Sequence, residues 1–483
     1  MSEEMQPTPG ARLAAWIGLA VGPLLLLACL LTDPPGELSR AAWSTVGLAL
    51  LMAAWWSTEA IPIPATALLP ILLIPVLGID TLAKATAPYA NPTIFLFLGG
   101  FVLGLAMQRW NLHRRIALVT LAAMGSSPAR QIAGFMLATA FISMWVSNTA
   151  TSIMMLPIGL SVIGLLAGDG EEGERERFAT ALLLGIAYAA SVGGIATLIG
   201  TPPNALLAGF LSKQYDVHIG FGQWMLLGLP VALGMLVFIW WWLTRGGFNL
   251  HAGDSHALLE REKEALGPMS REEKLVALVF VCAAAAWIFQ PLLSKLIDGV
   301  NDTSIAIAAA LILFLIPVNL RERTFLMDWS WAGKLPWGVL LLFGAGLSLA
   351  AAIDGSGLAQ WIAASLKGLD TLPLILMIGL VALLITFLTE VTSNTATAAA
   401  FLPLLGALAV AQGLPPEMLA IPAAIAASCA FMMPVATPPN AIVFGTGMMH
   451  IQSMIRAGFV INLFGVVWVT GLCYLLIGWI WSH

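Results

Sequence analysis

The chain has 483 residues, of which 59% are hydrophobic and 10% are charged. Soluble proteins carry about 25% charged residues, and soluble domains cut from a chain this long would need far more charge to cover their surfaces. The composition therefore indicates an all-α membrane protein that crosses the bilayer many times, and the net charge of −5 offers no basic surface for a nucleic acid.

Thirteen apolar stretches, free of charged residues except for Glu390, mark the candidate membrane segments. The first eleven residues of the chain include two acidic and no basic side chains, so we expect the first stretch to be a true membrane helix and not a cleaved signal. The stretches are residues 13–32, 41–58, 60–79, 85–108, 131–168, 178–212, 217–244, 275–294, 303–320, 335–353, 371–416, 418–455 and 457–483.

Four of these stretches are too long for one helix, and each has a polar cluster near its middle. The clusters are SNTAT at 147–151, GTPPN at 200–204, SNTAT at 393–397 and ATPPN at 436–440. A chain break that faced lipid would leave backbone groups unpaired at a cost of several kcal/mol each. We therefore predict that the SNTAT stretches are re-entrant hairpins and the TPPN stretches are broken helices, all shielded from lipid.

The distribution of basic residues predicts the orientation. With two re-entrant hairpins the chain crosses about eleven times, and its N-terminus is cytoplasmic while its C-terminus lies outside. Sixteen of the 21 basic residues then fall on the inside, as the positive-inside rule requires. If the first hairpin crossed instead, the later loops would change sides and this asymmetry would largely collapse.

The polar clusters also reveal an internal repeat. SNTAT recurs after 246 residues and TPPNA after 236. Each half has five predicted crossings and one hairpin, and an odd number of crossings turns the second half upside down relative to the first. Inverted repeats with broken helices are typical of secondary transporters, which place their site at the middle of the membrane.

The residue types at the clusters suit an anion together with a small cation. At each hairpin tip a half-helix begins near Thr149 or Thr395, and its free N–H groups attract negative charge. The hydroxyl and amide groups of the tip, and backbone carbonyls freed near Gly200 and Ala436 by the Pro-Pro pairs, suit Na⁺. Since no cluster contains Arg, Lys or His, a bound anion would depend on co-bound cations.

Other readings of these residues are possible. Ser, Thr and Asn in membrane helices often serve helix packing, but two identical pentapeptides, each followed by a TPPN break, favour a site. Glu390 either carries protons or tunes a cation site, or else holds its hairpin together. Glu59 is expected to be structural, at the membrane boundary. No HExxH or GxSxG motif supports an enzyme, and a channel would not need two hairpins from opposite faces.

The motifs Trp55-Trp56, Thr58-Glu59-Ala60-Ile61-Pro62, both SNT clusters, GTPPN and the segment that begins at Lys334 resemble the divalent anion/sodium symporter family of Na⁺-coupled dicarboxylate, citrate and sulfate carriers. The resemblance implies a homodimeric, elevator-type transporter in the bacterial inner membrane, with Na⁺ as co-transported ion and no organic cofactor. It implies scaffold helices in residues 1–127 and 251–370, and transport domains in residues 128–250 and 371–483.

The same resemblance implies three sets of site residues. The first Na⁺ site would use Ser143, Ser147, Asn148 and Gly200. The second would use Thr389, Thr392, Asn394 and Ala436. The substrate would meet Ser147, Asn148, Thr149, Ser393, Asn394 and Thr395, with Thr201 and Thr437 bordering the same space.

The expected function is Na⁺-coupled symport of C4-dicarboxylates such as succinate, malate or fumarate. The alternatives are a citrate or sulfate carrier, or a Na⁺-independent dicarboxylate exchanger of the same family.

Overall fold

A computed structural model of the chain describes residues 9–125, 127–166, 172–248, 260–365 and 372–481. In this part the chain is helical apart from one antiparallel pair of short strands, Pro317–Asn319 and Thr324–Phe325. The helices of the first half are Pro9–Leu31, Arg40–Thr58, Ile63–Thr66, Leu69–Val76, Leu82–Thr86, Ala87–Ala90 (a 3₁₀ turn), Pro92–Arg109, Leu112–Ala123, Pro128–Ser143, Asn148–Leu166, Glu172–Ile195, Pro202–Tyr215 and Phe221–Thr244. Those of the second half are Arg271–Ile288, Gln290–Leu296, Asp302–Leu315, Trp329–Ala332, Trp337–Gly355, Leu358–Ser365, Leu374–Thr389, Asn394–Ala411, Glu417–Ala427, Pro438–Phe444 and Ile451–Trp481.

Several of these helices are long and apolar enough to cross a bilayer. Among the described residues seven helices meet that requirement, and an eighth span is formed if Arg271–Ile288 and Gln290–Leu296, which are bent by 81° relative to each other, cross as one. Five further apolar helices are shorter, at 10–17 residues. The chain is thus a helical, multi-pass membrane protein, while the figure of eleven crossings stays a prediction.

Both SNTAT stretches form two helices joined by a short tip. Helix pair 1 consists of Pro128–Ser143 and Asn148–Leu166, and helix pair 2 consists of Leu374–Thr389 and Asn394–Ala411. We call the connecting residues 144–147 tip 1 and residues 390–393 tip 2. The second helix of each pair begins at the Asn of SNTAT, one residue earlier than the sequence suggested.

Both TPPN stretches contain an interrupted helix. Break 1, residues 196–201, separates Glu172–Ile195 from Pro202–Tyr215. Break 2, residues 428–437, separates Glu417–Ala427 from Pro438–Phe444. The proline pair opens the second helix in both cases, because a residue without an N–H is tolerated in the first turn of a helix and disrupts the interior.

The chain forms two compact units that do not follow the order of the sequence. Unit 1 comprises Met1–Ile94, Leu206–His218 and Pro336–Ala427, and unit 2 comprises Phe95–Ala205, Ile219–Leu335 and Ser428–His483. The predicted scaffold and transport domains are defined by relative motion, so they stay predictions. Two of their boundaries, at residues 250/251 and 370/371, lie outside the described residues.

Unit 2 is organised around helix pair 1. Both helices of the pair pack against Glu172–Ile195, and the approach is close at Gly193, where an added Cβ would lie 2.4 Å from the carbonyl oxygen of Ala140. The short helix Pro438–Phe444, from the second repeat, packs against Glu172–Ile195 and against Asn148–Leu166 of helix pair 1. Unit 2 thus combines the first helix pair with the end of the second broken helix.

Unit 1 has the converse arrangement around helix pair 2. Both helices of that pair pack against Glu417–Ala427. The end of the first broken helix also contacts this pair, because a Cβ at Gly406 would lie 2.9 Å from the ring of Phe210. Each helix pair is therefore packed with the second half of the other repeat's broken helix, as expected of a duplicated and interlocked fold.

Candidate functional site

In unit 2, three oxygen atoms converge where tip 1 begins. The Ser143 Oγ lies 2.6 Å from the Asn148 Oδ1 and 2.6 Å from the carbonyl oxygen of Ala190. Ser143 is fully buried and Asn148 is half-buried. We call this group oxygen cluster 1.

The cluster has more acceptors than protons. A serine hydroxyl has one hydrogen to donate, whereas the Asn148 oxygen and the Ala190 carbonyl both accept. Only one of the two short contacts can carry that hydrogen. The remaining oxygen lone pairs suit a small hard cation. In transporters with broken helices, such oxygens commonly coordinate Na⁺.

Unit 1 contains the same arrangement in the second repeat. The Thr389 Oγ1 lies 2.8 Å from the Asn394 Oδ1 and 3.0 Å from the carbonyl oxygen of Ala427. Thr389 is fully buried. This oxygen cluster 2 matches oxygen cluster 1 residue for residue, at the 246-residue offset of the repeat for the hydroxyl and the amide.

The asparagine of each TPPN motif holds its break open. The Nδ2 of Asn204 donates to the carbonyl oxygens of Gly194, Ile195 and Thr197 at 2.8–3.3 Å. These are carbonyls that the interruption of the helix leaves without an intrahelical partner. The amide oxygen of Asn204 is buried and has no partner among the described residues.

Asn440 repeats this role in break 2. Its Nδ2 donates to the carbonyl oxygens of Ala430 and Met433, both at 3.1 Å, and its amide oxygen is likewise buried without a described partner. Neither asparagine is among the site residues predicted above, although both belong to the repeated TPPN motif, which is the signal for them in the sequence.

Break 1 is also tied to tip 1. The Thr197 Oγ1 donates to the carbonyl oxygen of Met144 over 2.5 Å. An added Cβ at Gly200 would lie 2.4 Å from the carbonyl oxygen of Gly194, so the two ends of the break touch through their backbones. Ser143, Ser147, Asn148 and Gly200, the predicted first Na⁺ site, all belong to unit 2.

The predicted second Na⁺ site is divided between the units. Thr389, Thr392 and Asn394 belong to unit 1, and Ala436 belongs to unit 2. The Thr392 hydroxyl is engaged locally, 2.9 Å from the Leu388 carbonyl oxygen and 2.5 Å from the Thr397 hydroxyl.

The predicted substrate residues lie at the start of the second helix of each pair. Ser147 is exposed and its Oγ accepts from the Ala150 N–H over 3.3 Å, while Asn148 and Thr149 are half-buried. In unit 1, Ser393 and Asn394 are half-buried and Thr395 is 9% exposed. The first-turn N–H groups of both helices have no intrahelical acceptor and attract negative charge.

Thr201 and Thr437 both lie in unit 2, at the ends of the two breaks. The Thr201 Oγ1 lies 3.4 Å from the Ser428 Oγ, so this unit brings the end of break 1 against the beginning of break 2. The Thr437 Oγ1 accepts from the Asn440 N–H over 3.3 Å and so begins the helix that follows. Both threonines are almost completely buried.

Two acidic residues singled out in the sequence occupy different positions. Glu390 follows helix Leu374–Thr389 at tip 2 and is 3% exposed. Glu59 is exposed and ends helix Arg40–Thr58 in a left-handed conformation with φ of 47°, and its role at the membrane boundary stays a prediction. Across the described residues, no group of three His, Cys, Asp or Glu side chains has the arrangement of a metal site.

Comparisons with known proteins agree with this architecture. The model of the family described as "Sodium:sulfate symporter transmembrane region" matches residues 13–482. A protein of Staphylococcus saprophyticus named sodium-dependent dicarboxylate transporter SdcS is 43% identical over 474 residues, which cover 95% of this chain and 91% of the relative. Its namesake from Staphylococcus aureus is 42% identical over 477 residues, or 96% and 91% of the two chains.

Two solved structures share the fold at low identity. Neisseria gonorrhoeae MtrF superimposes with a TM-score of 0.58 at 15% identity, over 96% of this chain and 97% of that one. The Alcanivorax borkumensis YdaH transporter also gives 0.58, at 16% identity over 91% and 99% of the two chains. These likenesses concern the fold alone.

Proposed function

Because the chain belongs to the sodium:sulfate symporter family, a family of transport proteins and not of enzymes, we propose that it is a Na⁺-coupled symporter of C4-dicarboxylates such as succinate, malate and fumarate. The names of the two staphylococcal relatives support the coupling ion and the dicarboxylate class. The proposal places this transport in the bacterial inner membrane, with the N-terminus in the cytoplasm.

The duplicated oxygen cluster is the observation that carries the proposal. In each helix pair a buried hydroxyl oxygen lies 2.6–3.0 Å from an amide oxygen of the same pair and from a backbone carbonyl oxygen of a neighbouring helix. Neither polar cluster contains Arg, Lys or His. An anion bound at these tips therefore gains its positive partners from helix N-termini and from Na⁺, which makes its affinity depend on the cation.

The two carboxylates of the substrate are assigned to the two tips. Ser147, Asn148 and Thr149 hold one carboxylate, and Ser393, Asn394 and Thr395 hold the other, through hydroxyl, amide and first-turn N–H donors. Thr201 and Thr437 border the same space. One Na⁺ is bound by Ser143, Ser147, Asn148 and Gly200. The other is bound by Thr389, Thr392, Asn394 and Ala436.

Uptake into proteoliposomes tests the function. Labelled succinate, citrate or sulfate is supplied with a gradient of Na⁺ or of choline. We expect succinate to accumulate only with Na⁺, and unlabelled malate and fumarate to compete. Succinate uptake that is indifferent to Na⁺ would identify an exchanger, and accumulation of sulfate or citrate in preference to succinate would overturn the dicarboxylate assignment.

Substitution of the tip asparagines tests the site separately. Asn148→Ala and Asn394→Ala should each abolish Na⁺-driven uptake while the protein elutes and unfolds like the wild type. Asn319→Ala is the matched control, because Asn319 lies in the short strand Pro317–Asn319 and its amide oxygen accepts from the nearby N–H groups of Arg321 and Glu322. Wild-type uptake in either tip variant would reject the assigned site.

The transport cycle is assigned to an elevator movement in a homodimer. Residues 128–250 and 371–483 move relative to the scaffold residues 1–127 and 251–370. Spin labels at Ser161→Cys in the transport part and Asn319→Cys in the scaffold part measure this. Their separation should change when Na⁺ and succinate are added together, and an unchanged separation in a transporting protein would contradict the movement.

Cross-linking of reconstituted protein should yield a dimer.

A further inference from the structure

A cavity of about 390 Å³ lies in unit 2, away from the tips and breaks. Its walls are the first turns of Glu172–Ile195 and Ile451–Trp481 and the last turn of Phe221–Thr244 with the residues that follow it. The charge pattern of the sequence assigns all three of these helix ends to the cytoplasmic side. The cavity therefore sits at a level where helices emerge from the bilayer.

Three arginines from separate parts of the sequence line this cavity. They are Arg177, Arg245 and Arg456. The guanidinium carbon of Arg245 lies 3.2 Å from the ring centre of Trp242, and that of Arg177 lies 5.9 Å from the ring centre of Phe248. Stacking on an aromatic ring limits how a guanidinium can turn while it leaves the N–H edge free to donate.

The acidic side chains near the cavity have partners of their own. Glu174 forms an ion pair with Arg177 over 2.8 Å, and Glu176, which lines the cavity, lies 3.4 Å from the Nε2 of His450. Within the described ranges, by contrast, neither Arg245 nor Arg456 has a carboxylate partner. Two guanidinium groups thus face the cavity without an ion pair in this part of the protein, and Glu176 is the one carboxylate among the described lining residues.

The remaining lining combines hydrogen-bond donors with apolar groups. The Ser453 hydroxyl, in the first turn of Ile451–Trp481, adds a further donor. Leu184, Leu243 and Ala457 complete the wall. Arginine forks and a hydroxyl match the oxygens of a phosphate group, and the apolar wall matches the hydrocarbon next to it.

We propose that this cavity binds the phosphate group of an anionic phospholipid from the cytoplasmic leaflet. A free phosphate would satisfy the arginines equally well, but the apolar wall and Trp242, a residue type enriched at the membrane interface, favour a ligand that belongs to the bilayer. Basic pockets between membrane helices on the cytoplasmic side are suited to such headgroups. A bound lipid would link the three helix ends of unit 2.

Native mass spectrometry of the full-length, detergent-purified protein tests the proposal. The protein is titrated with short-chain phosphatidylglycerol, with phosphatidylcholine of the same chain length, and with inorganic phosphate. We expect phosphatidylglycerol to bind at least about tenfold more tightly than phosphatidylcholine, since the zwitterionic headgroup offsets its own phosphate charge. Inorganic phosphate that binds as tightly as phosphatidylglycerol would overturn the lipid assignment.

Two variants locate the binding. Arg245→Gln with Arg456→Gln should weaken phosphatidylglycerol binding by about tenfold or more, and Arg456→Lys alone should weaken it less because the charge remains. Arg321→Gln is the matched control, an exposed arginine on the same predicted side. If the double variant fails to fold, Arg456→Gln alone replaces it. Wild-type binding in a folded Arg456→Gln variant, or equal loss in Arg321→Gln, would reject the cavity as the site.

Discussion

Ser143 and Thr389 occupy equivalent positions of the two repeats, and each brings a hydroxyl oxygen within 2.6–3.0 Å of an amide oxygen and a helix carbonyl. Serine and threonine differ by one methyl group, so the shared feature is the hydroxyl. In the proposed Na⁺ sites this oxygen completes the set of ligands, and the methyl group of Thr389 only fills space. Exchange of the two residue types should therefore be tolerated where removal of the oxygen is not.

Our first prediction follows from that shared hydroxyl. Ser143→Ala and Thr389→Val should each raise the Na⁺ concentration for half-maximal succinate uptake by about tenfold, the equivalent of one lost ligand interaction of about 1.5 kcal/mol. Thr389→Ser should stay close to the wild type. The measurement is uptake by proteoliposomes as a function of Na⁺ at saturating succinate.

Ser161→Ala provides the control for this prediction. Ser161 lies in the same helix pair as Ser143, is exposed, and donates to the carbonyl oxygen of Pro157 one turn away. Its Na⁺ dependence should not change. An unaltered Na⁺ dependence in both Ser143→Ala and Thr389→Val would mean that the oxygen clusters only hold the helix pairs together.

Where the sequence repeats, it indicated which residues of the candidate site lie together. Two copies of SNTAT pointed to Asn148 and Asn394, and the structure places both amide oxygens at buried hydroxyls. Asn204 and Asn440 were missed because their function depends on where the freed carbonyls lie, which is a property of the folded break. Thr197 was missed for the same reason: its partner, Met144, is 53 residues away in the chain.

Break 1 is an element held by close backbone contact, and this leads to a second prediction. Gly200→Ala would place a Cβ 2.4 Å from the Gly194 carbonyl oxygen. The two ends of break 1 must therefore move apart, and oxygen cluster 1 must shift with them. Overpacking of this kind costs about 1–3 kcal/mol. We expect loss of Na⁺-driven uptake together with a lower unfolding temperature.

The matched substitution is Gly164→Ala, in helix Asn148–Leu166. Gly164 is exposed, and an added Cβ meets nothing within 4 Å, so the variant should transport normally and be equally or slightly more stable. Normal transport by Gly200→Ala would show that the two ends of the break can separate without damage to the site.

A third prediction concerns the ion pair between Arg109, at the end of helix Pro92–Arg109, and Asp328, which precedes helix Trp329–Ala332. The Arg109 side chain, only 12% exposed, lies 2.7 Å from the Asp328 carboxylate. The hydroxyl of Ser330 donates to that carboxylate and lowers its pKa, and burial opposes the change while the Trp331 N–H and Arg109 reinforce it. A carboxyl group with a lowered pKa stabilises the fold above its ordinary pKa near 4, and the stabilisation is lost as the pH falls through the lowered value.

Asp328→Asn should therefore lower the unfolding temperature at pH 7, corresponding to about 1–2 kcal/mol, and the difference from the wild type should shrink below pH 4. Asp80→Asn is the control, because Asp80 forms an ion pair with a lysine that is 73% exposed, and such pairs contribute little. Equal effects of the two substitutions at pH 7 would contradict a special role for Arg109.

Sequence reasoning was strongest for the existence of elements and weakest for their packing. The prolines of TPPN and the length of the apolar stretches predicted two interrupted helices, and both interruptions are present. Nothing in the local pattern showed that Pro438–Phe444 packs with helix pair 1 in unit 2, or that Phe210 contacts Gly406 in unit 1. Those contacts join residues more than 190 positions apart. The periodicity of apolar residues along the sequence indicates local helices and carries no information about such distant contacts.

At the scale of the whole molecule, the number of crossings determines which loops face the cytoplasm. If SNTAT at 147–151 belongs to a re-entrant hairpin, the chain returns to the inside after residue 168, and the later loops alternate from there. The three arginines of the unit 2 cavity then share the cytoplasmic side. If the stretch crosses instead, every later loop changes sides, and the basic residues lose most of their asymmetry.

Three single-cysteine reporters separate these two topologies. Lys84, Lys295 and Arg321 are exposed, and each is replaced by Cys in a background whose four native cysteines are Ala and whose uptake is retained. A membrane-impermeant maleimide applied to intact cells should label the reporters at 84 and 295, and should reach the reporter at 321 only after permeabilisation. Position 84 precedes the hairpin, so it is outside in both topologies and serves as the reference. Labelling of 321 but not 295 in intact cells would show that residues 131–168 cross the membrane, and the inverted relation between the repeats would then be lost.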